Sequence, residues 1–137
     1  MLLVDTNVIV DVLDDDPNWY PWSSAQMRGQ SRVHRLAINP IIFAELSLTF
    51  ESVDAMDRAV EQLGLVMQEL PRASLFLAGK AFARYRRQGG RRVSTLPDFF
   101  IGAHAAVNGW PILTRDTARY ASYFPGVTLI SPPSTMH

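Results

Sequence analysis

Two aspartates follow directly, or within three residues, the ends of short apolar segments. Asp5 comes after the run 2–4, and Asp116 comes after the pair 112–113. Short apolar runs of this kind predict buried strands. In open α/β sheets, functional sites form beyond the carboxyl ends of the strands. Either aspartate alone is also suited to capping a helix, so each is only a candidate by itself.

Two further acids lie on predicted helices. Glu45 shares a helix face with apolar neighbours such as Ile42 and Leu48, where an ionised carboxylate is costly unless it is paired or bound to a metal. A buried arginine partner or an edge position reaching solvent would also explain it. Asp98 lies in the first turn of its helix, which is also an ordinary place for an acid beside the helix dipole.

The four acids together predict a cation site. A doubly wound sheet would gather Asp5, Glu45, Asp98 and Asp116 at one edge, where unpaired carboxylates repel one another. A hard divalent ion relieves that repulsion, and oxygen ligands suit Mg²⁺ or Mn²⁺. The chain has no cysteine, and its three histidines are scattered. We therefore expect neither a zinc site nor nucleophilic catalysis by a thiol.

The elements that would position these acids alternate along the chain. Apolar patterns predict strands at 2–4, 36–38, 65–70, 112–113 and 127–130. Helices are predicted at 6–13 (capped by Thr6 or Asn7), 18–31, 40–50, 53–63, 71–87, 95–108 and 118–124. Strands alternating with helices favour a three-layer α/β/α domain with a short central parallel sheet of four to five strands. We expect one domain over 1–137, with 131–137 as a loose tail.

Composition narrows the class of protein. Hydrophobic residues make up 47% of the 137 residues, which predicts a packed core, and the formal net charge is zero. The first residues lack the pattern of a signal peptide, and no apolar run is long enough to span a bilayer. We expect a cytoplasmic protein without a membrane partner. Five arginines between 84 and 92 are the one basic cluster, which is either a phosphate-binding surface or a solvated helix end.

Four segments in this order resemble the motifs of PIN-domain nucleases. The segments are 4–8, 43–46, 96–98 followed by 103–105, and 113–116. The chain length is similar to that of VapC-type toxins from bacterial toxin–antitoxin pairs.

The resemblance implies an endoribonuclease that depends on Mg²⁺ or Mn²⁺. It assigns catalysis and metal binding to Asp5, Glu45, Asp98 and Asp116, with Glu45 either binding a second ion or orienting the attacking water, and gives supporting positions to Asn7 and Thr114. It also implies a homodimer, silenced by an antitoxin bound over the active-site groove. For contacts with the RNA backbone, the candidates are Arg86, Arg87, Arg91, Arg92 and Arg115.

Other classes of function stay open at this point. A non-catalytic or housekeeping RNA-binding or RNA-processing protein could have the same fold. An aspartyl phosphotransferase could use Asp5 as its nucleophile, although that chemistry usually has a second aspartate where this chain has Asn7. A two-component receiver domain would need a lysine late in the chain, and the only lysine is Lys80. The sequence does not name the RNA that would be cleaved.

Overall fold

The computed structural model describes residues 1–89 and 94–133. Within these ranges the chain alternates between strands and helices, as the sequence predicts. The strands are β1 (Leu2–Val4), β2 (Leu36–Ile38), β3 (Leu65–Met67), β4 (Ile112–Leu113) and β5 (Leu129–Ile130). The α-helices are α1 (Thr6–Leu13), α2 (Tyr20–Gln30), α3 (Pro40–Leu46), α4 (Val53–Gln62), α5 (Arg72–Arg87) and α6 (Leu96–Asn108).

The five strands form one parallel sheet in the order β3-β2-β1-β4-β5. β1 lies at the centre and pairs with β2 on one side and with β4 on the other. All carboxyl ends therefore meet at the same edge of the sheet, which is where β1 leads into Asp5 and β4 leads into Thr114. The predicted α/β fold with a short parallel sheet is confirmed.

Local capping explains where two of the site-bearing helices begin. Asn39 follows β2 directly, and its side chain accepts a hydrogen bond from the backbone N–H of Ile42 at 2.9 Å. Pro40 then occupies the first turn of α3, where its missing N–H costs nothing. Helix α6 begins with a reciprocal capping box between Thr95 and Asp98. These caps fix the directions from which Glu45 and Asp98 approach the edge of the sheet.

Several local predictions were wrong. Strand β3 ends at Met67 rather than at 70, and β5 begins at Leu129 rather than at 127. Asp5, rather than Thr6 or Asn7, caps α1, because its carboxylate accepts from the backbone N–H of Thr6 at 2.8 Å. Helix α3 ends at Leu46 and continues as a 3₁₀ turn over Ser47–Thr49. In place of the helix predicted at 118–124 there is a 3₁₀ turn at Thr117–Arg119, followed by irregular turns that place Tyr120 and Phe124 in the core. Of the predicted tail, residues 134–137 lie outside the described ranges.

The core has two parts. The larger part surrounds the sheet and includes all of β1, β2 and β4. The smaller part joins α5 to α6 through a group of aromatic rings centred on Phe99 and Phe124. Within the described ranges, no helix is both long enough and apolar enough to cross a membrane.

Candidate active site

Asp5 is fully buried at the carboxyl end of β1 and is held in a single orientation. One carboxylate oxygen, Oδ1, accepts from the Thr6 backbone N–H at 2.8 Å. The other, Oδ2, accepts from the hydroxyl of Thr114 at 2.8 Å and from the hydroxyl of Tyr120 at 2.9 Å. These contacts tie Asp5 to β4 and to the turn that follows it, so three parts of the chain determine where this carboxylate points.

Burial has the largest influence on the pKa values of Asp5 and Tyr120. Burial raises the pKa of Asp5, although hydrogen bonds from Thr114 and Tyr120 and the charge of Arg119 act in the opposite direction. Burial, followed by the negative charge of Asp5, raises the pKa of Tyr120 well above its ordinary value. The phenol therefore stays protonated and acts as a fixed hydrogen-bond donor to the carboxylate.

Glu45 lies close to Asp5 through a shared neighbour. The hydroxyl of Thr6 donates to Oε1 of Glu45 at 2.7 Å, directly beside the Asp5 cap. Burial, and then the negative charges of Asp5 and Asp98, raise the pKa of Glu45. Glu45 is therefore close enough to Asp5 and Asp98 for their charges to act on it.

Asp98 is 3% exposed and divides its two oxygens between different tasks. Its Oδ2 accepts from the backbone N–H of Thr95 at 2.7 Å and from the Thr95 hydroxyl at 3.1 Å. Its Oδ1 faces the guanidinium of Arg119, at 3.8 Å from one terminal nitrogen. One oxygen therefore anchors the side chain to its helix, and the other faces the cluster.

Arg119 lies among the acids. Its Nε donates to Oδ2 of Asp116 at 3.0 Å. Although burial alone would lower it, the pKa of Arg119 is raised, because Asp5, Asp98 and Asp116 surround the guanidinium with negative charge. The four predicted acids thus converge on one region, and an arginine side chain joins them there.

Asn7 and Thr114 link the two central strands beneath this cluster. Thr114, besides donating to Asp5, accepts from the backbone N–H of Asp116 at 3.0 Å. Asn7 accepts from the backbone N–H of Arg115 at 3.2 Å, and its amide is 3.4 Å from both Thr114 and Asp5. Both residues therefore hold Asp5 and Asp116 in a fixed relative position.

The arginines predicted to contact RNA occupy different surroundings. Arg115 makes two hydrogen bonds with the buried carboxylate of Asp11, at 2.7 and 3.0 Å, and its guanidinium lies over Trp19. Arg86, in the last turn of α5, lies over the ring of Phe82, and Arg87 ends the same helix. Arg91 and Arg92 lie outside the described residues.

Three residues of this region were missed by the sequence analysis: Asp11, Arg119 and Tyr120. Asp116 and Arg119 are three positions apart, which is a spacing that permits an ion pair on one helical turn. That spacing was the one available signal. Nothing local indicates that Tyr120 reaches across the sheet to Asp5, or that Asp11 is buried.

The four carboxylates are chemically suited to bind a hard divalent cation, but they are too far apart to do so without moving. Among the described residues, no three acidic or histidine side chains are close enough to hold a metal ion as they stand. Carboxylate oxygens are the ligands that Mg²⁺ and Mn²⁺ prefer, and the cluster already attracts a cationic group, the guanidinium of Arg119. The residues therefore fit a metal in charge and ligand type, provided that their side chains draw closer together.

A groove of about 500 Å³ lies elsewhere on the molecule. Its lining includes Trp110 and Pro111, which precede β4, and Val127 and Thr128, which precede β5. These positions are at the amino ends of the strands, opposite the acids. We place the candidate site at the acids, because buried and mutually repelling carboxylates mark functional sites more specifically than an apolar groove does.

An α/β sheet with four acids beyond its carboxyl edge defines the class of protein. Residues 2–123 match the PIN domain, and the chain belongs to the PIN domain family. No curated protein sequence matches the chain.

Several solved structures share the fold. VapBC2 from Rickettsia felis, bound to a DNA fragment from its promoter, aligns with a TM-score of 0.72 at 16% identity, over 95% of this chain and 97% of that one. VapBC-1 from nontypeable Haemophilus influenzae aligns with a TM-score of 0.72 at 17% identity, over 95% and 96%. A toxin–antitoxin complex from Klebsiella pneumoniae aligns with a TM-score of 0.65 at 19% identity, over 97% and 98%.

Proposed function

We propose that this protein is a metal-dependent endoribonuclease that hydrolyses RNA phosphodiester bonds, and that it is the toxin of a toxin–antitoxin pair. The observation that carries the proposal is the meeting of Asp5, Glu45, Asp98 and Asp116 at one edge of the sheet, with Asp5 held by four hydrogen bonds. Family membership supports a nuclease, and the shared fold of the VapBC structures supports a toxin.

Asp5, Asp98 and Asp116 are the first choice for binding Mg²⁺ or Mn²⁺. Such an ion would supply charge neutralisation at the phosphate and a water of lowered pKa. The chain itself orients the ligands: Thr114 and Tyr120 fix Asp5, and Thr95 fixes Asp98. Because Asp5 and Asp98 are each held in place by such contacts, only part of the cluster has to rearrange when an ion binds, which lowers the cost of organising charge during the reaction.

Glu45 is suited to act on the attacking water or to bind a second ion. Its carboxylate is half-buried, and one oxygen is held by the hydroxyl of Thr6. Burial and the neighbouring acids raise its pKa, which makes Glu45 a better proton acceptor than an ordinary surface glutamate. The role of Glu45 therefore differs from that of the three aspartates.

RNA would approach the acids from the solvent side, where Asp116 is 42% exposed. Arg86, Arg87, Arg91 and Arg92 are proposed to hold the RNA backbone, since arginine binds phosphate with two parallel hydrogen bonds. Arg115 is proposed in the same role more weakly, because Asp11 already engages its guanidinium.

The proposed biological setting includes two protein partners. One of the structures that share this fold is a toxin–antitoxin complex, so we propose an antitoxin that covers the acids. From the resemblance to VapC-type toxins we also propose a homodimer of this chain. In that role the protein acts on RNA in the cytoplasm.

One observation favours a second candidate, a non-catalytic RNA-binding PIN protein. Arg119 already balances part of the negative charge of the cluster, as it would in a purely structural ion network. A nuclease needs the same carboxylates to bind a metal, so the two candidates differ in their response to metal removal.

The test is cleavage of a mixed RNA pool by the full-length protein with Mg²⁺, with Mn²⁺, or with a chelator. We expect chelation to abolish cleavage, and Asp98→Asn to lower its rate by at least about 100-fold, because the amide keeps the shape but not the charge. The control is Asp57→Asn, which removes the same charge from an exposed position on α4. Wild-type cleavage by Asp98→Asn, or cleavage unaffected by the chelator, would contradict the proposed function.

A further inference from the structure

The guanidinium of Arg119 lies between Asp98 and Asp116, where the surrounding carboxylates favour a positive charge. It donates through Nε to Asp116 at 3.0 Å, and a terminal nitrogen lies 3.8 Å from Asp98. We propose that Arg119 is an internal counter-ion of the metal-free protein, and that a divalent ion and the Arg119 guanidinium occupy the cluster in alternation. This inference rests on the proposed metal-dependent function and adds a competitor for the metal within the chain itself.

The two contacts of Arg119 differ in strength. The bond to Asp116 is short and lies near solvent, where Asp116 is 42% exposed. The approach to the buried Asp98 is long, at the outer limit of an ion pair, and is not a hydrogen bond. The guanidinium is thus held firmly at its outer end and loosely at its inner end, and its side chain is 34% exposed. Its contact with Asp98 is therefore the first to be lost when the guanidinium withdraws.

Asp98 has one oxygen for which both cations compete. Its Oδ2 is committed to Thr95 by two hydrogen bonds. The remaining oxygen, Oδ1, faces Arg119 and is the oxygen left for a metal. A metal ion bound to this oxygen would lie beside the Arg119 guanidinium, and two positive charges so close together repel strongly in a partly buried site. Metal binding through Asp98 therefore requires the guanidinium to move away.

The spacing of the acids supports the same conclusion. Among the described side chains, no three potential ligands are close enough to hold an ion while Arg119 is in place. Withdrawal of the guanidinium removes an attractive charge from between Asp98 and Asp116, and a smaller divalent ion can then draw their oxygens together. Arg119 thus limits repulsion among the acids in the metal-free protein, and it lowers the apparent affinity for metal by occupying the site.

The first test is calorimetric titration of the full-length protein with Mn²⁺. We expect Arg119→Gln to bind Mn²⁺ more tightly than the wild type by roughly three- to tenfold, because the competitor is gone. The matched control is Arg32→Gln, which removes the same charge from an exposed position before β2, at the opposite edge of the sheet. Equal or weaker binding by Arg119→Gln than by Arg32→Gln would overturn the inference. If neither variant nor the wild type binds Mn²⁺, the proposed metal site fails as well.

A second measurement follows the guanidinium itself during metal binding; the titration uses the wild-type protein, and a variant serves only to assign the signal. The Nε–H signals of arginine in ¹⁵N correlation spectra are followed during titration with diamagnetic Mg²⁺. The Arg119 signal is assigned by its absence in Arg119→Lys. We expect this signal to move as the site fills, while the Nε–H of Arg115, bonded to Asp11 at 2.7 Å, stays in place. An Arg119 signal unchanged at saturating Mg²⁺ would show that the guanidinium is not displaced.

Discussion

Two buried aspartates near the start of the chain are treated in opposite ways by the fold. Asp11 is 2% exposed, and its carboxylate is enclosed by Arg115 in a two-point ion pair and by the hydroxyl of Ser23 at 2.6 Å. Asp5 is fully buried as well, yet among the described residues only neutral groups donate to it. Its nearest compensating charge, Arg119, contacts other acids.

The difference distinguishes a structural charge from a functional one. A buried ion pair with ideal geometry leaves nothing for a ligand to bind, since every donor and acceptor is already engaged. The negative charge of a buried carboxylate that has only neutral donors and acidic neighbours is not compensated, so a cation placed beside it is stabilised. Asp11 therefore stabilises the packing of α1 against α2, whereas Asp5 is left with the uncompensated charge that the proposed cation site requires.

The largest effect that this comparison predicts is on stability. Asp11→Ala would leave the Arg115 guanidinium without its partner at a position where its side chain is 28% exposed. Removing one member of a buried pair costs about 3–5 kcal/mol. We expect a loss of that size in the free energy of unfolding, measured by urea denaturation in a chelating buffer.

Asp57→Ala, at an exposed position on α4, is the control for the loss of an aspartate. Its effect should stay within about 0.5 kcal/mol. The comparison would break down if Asp11→Ala cost no more than this control.

A smaller effect is predicted for Asp5→Asn in the same denaturation experiment. The substitution keeps the shape of the side chain and removes a charge that lies near Glu45 and Asp98. We expect the stability of the metal-free protein to fall by less than about 1 kcal/mol, or to rise, because relief of repulsion offsets the altered hydrogen bonds. Stability and function thus oppose each other at this position. A loss as large as that expected for Asp11→Ala would mean that Asp5 is structural too.

The smallest effect concerns His104, a buried group that stays neutral. Its Nδ1 lies 3.1 Å from the amide of Asn39, which caps the helix of Glu45, and burial lowers its pKa below the ordinary value of 6.5. The unfolded chain therefore takes up a proton at a higher pH than the folded protein does. Stability should fall as the pH drops below 6.5, by at most about 1.4 kcal/mol per pH unit.

Comparison of the wild type with His104→Gln across pH 5 to 7 tests this prediction. Glutamine retains a polar contact for Asn39 and does not titrate. The difference in unfolding free energy between the two proteins should depend on pH in the stated direction. A constant difference would refute the assignment.

The order of the elements and the ends of β1 and β4 could be predicted from the sequence, because each follows from a local pattern of residues. The run 2–4, the Asn39-Pro40 cap and the pair 112–113 all lie where expected. Boundaries failed where a long-range contact prevailed. Thr6 does not cap α1 because its hydroxyl bonds Glu45, and no regular helix forms at 118–124 because Tyr120 must reach Asp5.

The acids could be found from the sequence, but their surroundings could not. Strand ends and parallel topology suffice to place Asp5 and Asp116 near each other. The side chain of Arg119 turns towards Asp98, which is 21 positions earlier in the sequence, and no periodicity encodes that direction. The same holds for Asp11 and Arg115, which come together only through the pairing of β1 with β4.

Gly102 supports the site from a distance. A Cβ atom at this position of α6 would collide with the ring of Phe124, which lies on the same stretch of chain as Arg119 and Tyr120. The absence of a side chain is therefore part of what seats that stretch over the acids. In evolutionary terms, we expect glycine to be retained at position 102 unless the residue at position 124 becomes smaller at the same time. Loss of activity can thus arise in a lineage whose four carboxylates are all intact.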